Sequence, residues 1–194
     1  MVETVGTVLV VDDEADCRTL YRIWLREAFD VVTAADGVEA LDRFDETVDV
    51  VILDREMSRK DGVEVATELA ARDADAFVAM ISGIEPGTEL LEIPVDEYLQ
   101  KPVGREDVLG LLDRATTLGE YGDRFRRFCS LAARIATVEQ HVHQTELDGD
   151  ATYRDAVARL ERERRTVEAA SLSGDAVDEL PPSTRDSPTA QESL

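Results

Sequence analysis

Five short aliphatic runs recur along the first 118 residues, and most are followed by a segment with apolar residues at helical spacing. The runs are Thr7–Val11 (TVLVV), Val31–Ala34 (VVTA), Asp49–Leu53 (DVVIL), Phe77–Ile81 (FVAMI) and the short Glu97–Leu99. Strands this uniformly apolar have both faces covered, which calls for a parallel sheet with helical crossovers. The intervening segments supply them. Asp16–Phe29 carries Leu20, Ile23, Trp24 and Leu25 at helical spacing. Asp36-Gly37 opens a helix through Ala40, Leu41 and Phe44, and Asp61-Gly62 turns into Val63–Ala71. Glu106 and Asp107 lie in the first turn of a helix through Leu109, Leu111 and Leu112, where the helix dipole favours acidic groups.

This succession predicts an α/β fold: a doubly wound, flavodoxin-like five-stranded parallel sheet of order 2-1-3-4-5. Beyond Leu118 the pattern becomes purely helical. Leu111, Leu118, Phe125 and Ala132 recur every seventh residue, and Tyr121, Phe128, Ile135 and Val142 follow the same period. Gly119 and Gly122 interrupt the stripe. A second helix carries Tyr153, Val157, Leu160 and Val167 after the turn Asp148-Gly149-Asp150. The expectation is a C-terminal helical hairpin or a dimer-forming coiled coil. Residues 171–194, rich in Ser, Pro, Thr and acid, are expected to form a disordered acidic tail. The domain reading is therefore 1–118, 119–170 and 171–194.

Charge narrows the function. The chain carries 21 basic and 43 acidic residues, a net charge of −22. That balance argues against coating nucleic acid or anionic membrane as the main role. The acid is unevenly placed: residues 1–118 hold 11 basic and 28 acidic side chains, residues 119–170 hold 9 and 10. The composition resembles that of proteins from salt-in halophiles, because high salt screens such self-repulsion. No apolar run reaches the ~18 residues of a membrane span, and a cytoplasmic location without membrane contact is expected. Cys17 and Cys129 lack the spacing of a disulfide framework or zinc site. Arg124, Arg126 and Arg127 form a basic cluster that suits DNA phosphate, an acidic partner surface, or Glu120 and Asp123 of the chain itself; the reading favours the last.

Parallel sheets place their chemistry outside the carboxyl ends of the strands. Strand 1 ends in Asp12-Asp13-Glu14, strand 3 in Asp54, strand 4 in Ser82-Gly83 and strand 5 in Lys101-Pro102. Any one of these is weak in so acidic a chain; four at four strand ends are not. Asp12, Asp13 and Asp54 would crowd like charge into one pocket, and a hard divalent cation such as Mg²⁺ relieves it. A carboxylate there can attack a phosphoryl group. Lys101 offers an ammonium and Ser82 a hydroxyl to the phosphoryl oxygens, and Gly83 is expected to let backbone approach closely.

The stretches VLVVDDEAD, VVILDREMSRKDG, AMISG and DEYLQKP resemble a response-regulator receiver domain of two-component signalling, over residues 7–118. The resemblance implies that Asp54 accepts the phosphoryl group and that Asp12, Asp13, Asp54 and the backbone carbonyl of Glu56 bind Mg²⁺. It makes Ser82 and Lys101 the phosphoryl-reading residues and Tyr98 the switch aromatic. It also implies a sensor histidine kinase as partner, no catalysis beyond limited self-phosphorylation and self-dephosphorylation, and DNA, transcription machinery or a second copy of the chain as further partners. Three features depart from the family: Ser58 where proline is usual, Glu56 two residues past the acceptor, and a short Ser82–Lys101 stretch, containing Pro86 and Pro94, that implies a shortened fourth helix. Residues 119–175 resemble the haloarchaeal HalX output segment, implying regulation of transcription. The alternative is a phosphorylation-gated protein–protein interaction module without DNA binding. A stand-alone phosphatase ranks last, since no segment before Leu118 offers a substrate cap.

Overall fold

The computed structural model describes residues 6–173. Five strands form one parallel sheet: β1 (Thr7–Val11), β2 (Asp30–Ala34), β3 (Val50–Leu53), β4 (Phe77–Ser82) and β5 (Glu97–Gln100), in the order β2-β1-β3-β4-β5. The helices are α1 (Ala15–Leu25), α2 (Gly37–Arg43), α3 (Gly62–Ala71), α4 (Arg105–Gly119), α5 (Asp123–His141), the short α6 (Gln144–Leu147) and α7 (Ala151–Ser173). No described helix is long and apolar enough to cross a membrane. The tail expected from residue 171 lies, from 174 onward, outside the described residues.

Alternation along the strands divides the core into two layers. Val8, Val10, Val50, Ile52, Phe77, Ala79 and Ile81 face Tyr21 and Leu25 of α1 and Val108, Leu111, Leu112 and Ala115 of α4. Leu9, Val11, Val51, Leu53, Val78 and Met80 face the opposite side, against α2 and α3. On α1 the expected apolar stripe is only half right. Tyr21 and Leu25, four residues apart, point into the core, whereas Leu20 and Ile23 lie around the helix from them and are 44% and 52% exposed.

The stretch between β4 and β5 decides how the rest of the chain packs. Here the crossover contains only a five-residue 3₁₀ turn, Thr88–Glu92, between Pro86 and Pro94. It buries Leu90 and Leu91 but is too short to cover the sheet. The vacated place is filled from further along the chain. Leu131, Ile135 and Val138 of α5, Leu147 of α6 and Ala156 of α7 join the same apolar cluster as Val78, Met80, Leu91, Val95 and Tyr98. The sevenfold stripe is therefore not one continuous surface. It breaks between Gly119 and Gly122; Leu111 packs on one face of the sheet and Ile135 on the other. After α6, α7 returns along α5, with the Tyr153 hydroxyl donating to Glu139. The helical segment is thus an intramolecular hairpin. Asp150 caps α7 by accepting from the Tyr153 N–H at 2.8 Å, and its other oxygen accepts from the Thr88 hydroxyl at 2.9 Å, tying the hairpin to the 3₁₀ turn.

Candidate functional site

The site is assembled by backbone hydrogen bonds that run one residue past the strand ends. Asp54 N–H donates to the Val11 carbonyl at 2.8 Å, Asp12 N–H to Ala34 at 3.3 Å, and Lys101 N–H to Ser82 at 2.8 Å. Asp12 and Asp54 therefore emerge side by side from neighbouring strands, with Lys101 reaching over from β5. The Lys101 ammonium donates to Asp54 Oδ1 at 2.8 Å and to Asp12 Oδ2 at 3.0 Å. Both carboxylates are buried, Asp12 at 2% exposure and Asp54 at 7%.

Burial pushes the Asp54 carboxyl above the usual range; Lys101 opposes that shift and the Asp12 charge adds to it. For Lys101, burial alone favours the neutral amine, but the hydrogen bonds to Asp54 and Asp12 outweigh it and hold the ammonium well above its ordinary value. Lys101 is therefore a fixed cation at neutral pH. The Glu56 backbone N–H also bonds to the Asp54 carboxylate. Gly62 is required by close approach, because a Cβ there would lie 2.2 Å from the Asp54 carbonyl oxygen. The loop between them is tied down by Arg59, which adopts a left-handed backbone (φ 70°) and pairs with Asp36 at 2.8 Å.

The remaining expected residues are placed differently. Asp13 is exposed, and among the described residues no hydrogen bond or ion pair joins it to Asp54 or Lys101. Ser82 is buried at the end of β4, where its hydroxyl accepts from the Ile84 N–H at 3.1 Å rather than meeting Asp54. At Gly83 a Cβ would meet no protein atom within 4 Å, so no neighbouring part of the chain requires glycine there. Tyr98 is buried in the layer shared with α5, and its hydroxyl donates to the Ile84 carbonyl. Ile84 thus links Ser82 to Tyr98 through its two backbone groups. No sequence signal marked it, because the link uses backbone alone.

Cys17, whose spacing from Cys129 suits neither a disulfide framework nor a zinc site, has its sulfur with carboxylate oxygens of Asp12 and Glu14 within 4.8 Å of one another. Burial, then the Asp12 charge, pushes the Cys17 thiol up, so it stays protonated and is a poor ligand. The available donors are oxygens, with two buried carboxylates against one ammonium. That set fits a hard divalent cation such as Mg²⁺.

A five-stranded parallel sheet with an acidic pocket and a lysine at its strand ends defines a receiver, and residues 8–113 match the family model described as the response regulator receiver domain. The chain belongs to that family, and residues 117–180 match the HalX domain. It is 38% identical over 164 residues to a Haloferax volcanii protein named for transcriptional regulation, covering 84% of this chain and 28% of that protein. The transcriptional regulatory protein PrrA of Mycobacterium leprae is 42% identical over 100 residues, 49% of this chain and 43% of PrrA. The chain thus spans less than half the length of these relatives. Among solved structures, the response regulator TrrA of Thermotoga maritima, in complex with Mg²⁺ and BeF, is 32% identical with a TM-score of 0.53, covering 57% of this chain and 99% of TrrA. A CheY-like receiver from Methanospirillum hungatei shares the fold at a TM-score of 0.56 and 22% identity, over 60% of this chain and 98% of its own.

Proposed function

We propose that the chain is a response regulator of a two-component phosphorelay in the cytoplasm. It takes a phosphoryl group onto Asp54 from a sensor histidine kinase and switches the helical output segment, residues 119–170, to regulate transcription. The observation that carries this reading is the buried Asp54 carboxylate, held 2.8 Å from Lys101 and beside Asp12 at the strand ends. An Asp54 carboxylate oxygen attacks phosphorus, and the donor's imidazole nitrogen leaves with the bonding pair. The Lys101 ammonium, already at the pocket, offsets charge on the phosphoryl oxygens. Asp12, Asp13, Asp54 and the Glu56 carbonyl would hold Mg²⁺, which supplies the positive charge that three carboxylates and an incoming phosphoryl group require.

Signal output follows from the Ser82–Ile84–Tyr98 link. If the Ser82 hydroxyl turns to a phosphoryl oxygen, it releases the Ile84 N–H. The Ile84 carbonyl is the acceptor for Tyr98, whose ring packs in the layer shared with α5. A change at Asp54 thereby reaches the packing of the output helices. The direct test is phosphoryl uptake from acetyl phosphate, read by intact mass. Wild type should gain one phosphoryl group and Asp54→Asn none; uptake by Asp54→Asn would refute the assignment.

One observation favours the second reading, a gated protein-interaction module without DNA contact. Two arginines of α5 turn toward the receiver: Arg126 pairs with Asp75 at 2.9 Å, and Arg134 is buried. Genomic occupancy of wild type and Asp54→Ala separates the readings. Discrete sites that depend on Asp54, with salt-sensitive binding by purified protein, support transcriptional control. No enrichment under activating conditions supports the interaction module.

A further inference from the structure

The hairpin does not close completely onto the receiver. A cleft of about 840 Å³ remains between the end of α3, the Glu92–Asp96 stretch leading into β5, α5 and the first half of α7. Five arginines line it: Arg126, Arg127 and Arg134 from α5, Arg159 and Arg162 from α7. The whole chain has only 21 basic residues against 43 acidic ones, so this is a marked local reversal of charge. Three carboxylates line the same cleft, Glu92, Asp96 and Asp155. Asp96 is committed elsewhere, accepting from the Val78 N–H at 2.9 Å and the Ser130 hydroxyl at 2.6 Å.

Arg134 is the informative member. It is 8% exposed, donates to the carbonyls of Ile93 and Ser130, and forms no ion pair with any described carboxylate. Its Nη2 has no hydrogen-bond partner among the described residues. Burial lowers its pKa to about 10; Asp96 opposes that and Arg159 reinforces it, so the group is a cation at neutral pH under repulsion from a second arginine. A buried guanidinium in that position gains from any anion that can enter. The lining also includes Ala70, Ala74 and Pro94, whose apolar surface is open to the cleft and suits an organic body better than a bare ion.

We propose that this cleft binds a small organic phosphate, its phosphate held by Arg134, Arg159 and Arg162 and its body against this apolar surface. The volume lies within the range of small-molecule sites. A DNA duplex fits less well, because Arg134 sits inside a concavity and Arg126 is held by Asp75. The ligand would touch α3 and the β5 approach on one side and α5 and α7 on the other. It would thereby fasten the output hairpin to the receiver, independently of Asp54.

The test titrates the full chain with ATP, pyrophosphate and a DNA duplex by calorimetry, in low and in molar KCl, and repeats ATP with Arg159→Glu/Arg162→Glu and with Arg134→Met. ATP should bind and raise the melting temperature, and should bind about tenfold or more tighter than pyrophosphate. The double variant, on exposed positions of α7, should weaken ATP at least about tenfold while circular dichroism stays unchanged. Arg134→Met should abolish binding; if it loosens the hairpin instead, the double variant alone decides. Some affinity should persist in molar salt, because a buried charge is screened less than exposed ones. No ATP binding up to about 10 mM, or equal binding by the double variant, overturns the proposal. So does duplex DNA binding without ATP binding, which would assign the arginines to nucleic acid. Equal affinity for pyrophosphate and ATP overturns the organic part.

Discussion

At the strand ends, three side chains from three strands meet within hydrogen-bond reach: Asp12, Asp54 and Lys101. On the face where α5 docks, no single group plays such a part; Leu131, Ile135, Val138 and Leu147 share the work with Val78, Met80 and Tyr98. The first region is charged and its chemistry is concentrated. The second is apolar, and its strength is spread at about 1.5–3 kcal/mol for each buried aliphatic side chain. The two should therefore fail differently: a pocket substitution should remove phosphoryl chemistry at a stroke, and a docking-face substitution should lower stability while chemistry at Asp54 survives.

Leu131→Ala tests that separation with the largest stability effect. Leu131 is 2% exposed in the shared layer, so truncation should cost about 2–5 kcal/mol in urea unfolding. Phosphoryl uptake from acetyl phosphate should persist at temperatures where the variant is folded. Loss of uptake in a folded Leu131→Ala would show that the docked hairpin supports the pocket itself.

Gly62→Ala should blur the comparison. The added methyl would lie 2.2 Å from the Asp54 carbonyl oxygen, so the backbone beneath the pocket must move. About 1–3 kcal/mol of destabilisation is expected, together with slower phosphoryl uptake. Unchanged uptake would mean that the pocket tolerates displacement of its own strand end. Tyr98→Phe should do less. It removes one hydrogen bond, to Ile84, for about 0.5–1.5 kcal/mol, and leaves the ring in place. If Ile84 couples the two regions, the variant should take up phosphoryl normally while hydrogen exchange in α5 no longer responds to it.

The same contrast governs what could be read from the sequence. The sheet order and the Asp12–Asp54–Lys101 cluster were legible because each strand is a local run and each functional residue stands at its end. The uniformly apolar runs implied a sheet covered on both faces, and the two core layers lie there. The docked hairpin was legible as two helices but not in its destination. Gly119 and Gly122 interrupt its stripe between Leu111 and Val142, but only the structure shows that the helices change sheet face there. The destination depends on a deficit elsewhere, the short Thr88–Glu92 turn. The sequence reading registered that deficit without seeing what fills it. Leu20 and Ile23 misled for a simpler reason: apolar residues near helical spacing also occur on an exposed face. Arg134 was missed because an arginine in a helix reads as surface until its neighbours are known.

The smallest effect lies in the contact that closes the hairpin on itself. The Tyr153 hydroxyl donates to Glu139, and this hydrogen bond, with a lesser contribution from burial, pushes the phenol from its ordinary value near 10 up to about 12. The raised value means that the folded chain holds the Tyr153 proton more tightly than the unfolded chain. Its contribution to stability is complete below pH 10 and is lost as the pH rises toward 12. Tyr21 is also pushed up to about 12, by burial against the other face, so a bare alkaline titration would mix the two. The difference between wild type and Tyr153→Phe isolates the hairpin. Urea midpoints should favour wild type slightly at pH 9, and the gap should shrink and then reverse by pH 12, where an ionised Tyr153 faces Glu139 while phenylalanine carries no charge. A gap that stays constant across that range would show that the hairpin is held by its apolar seam alone, making the docked face even less dependent on single polar groups than its contrast with the strand-end pocket implies.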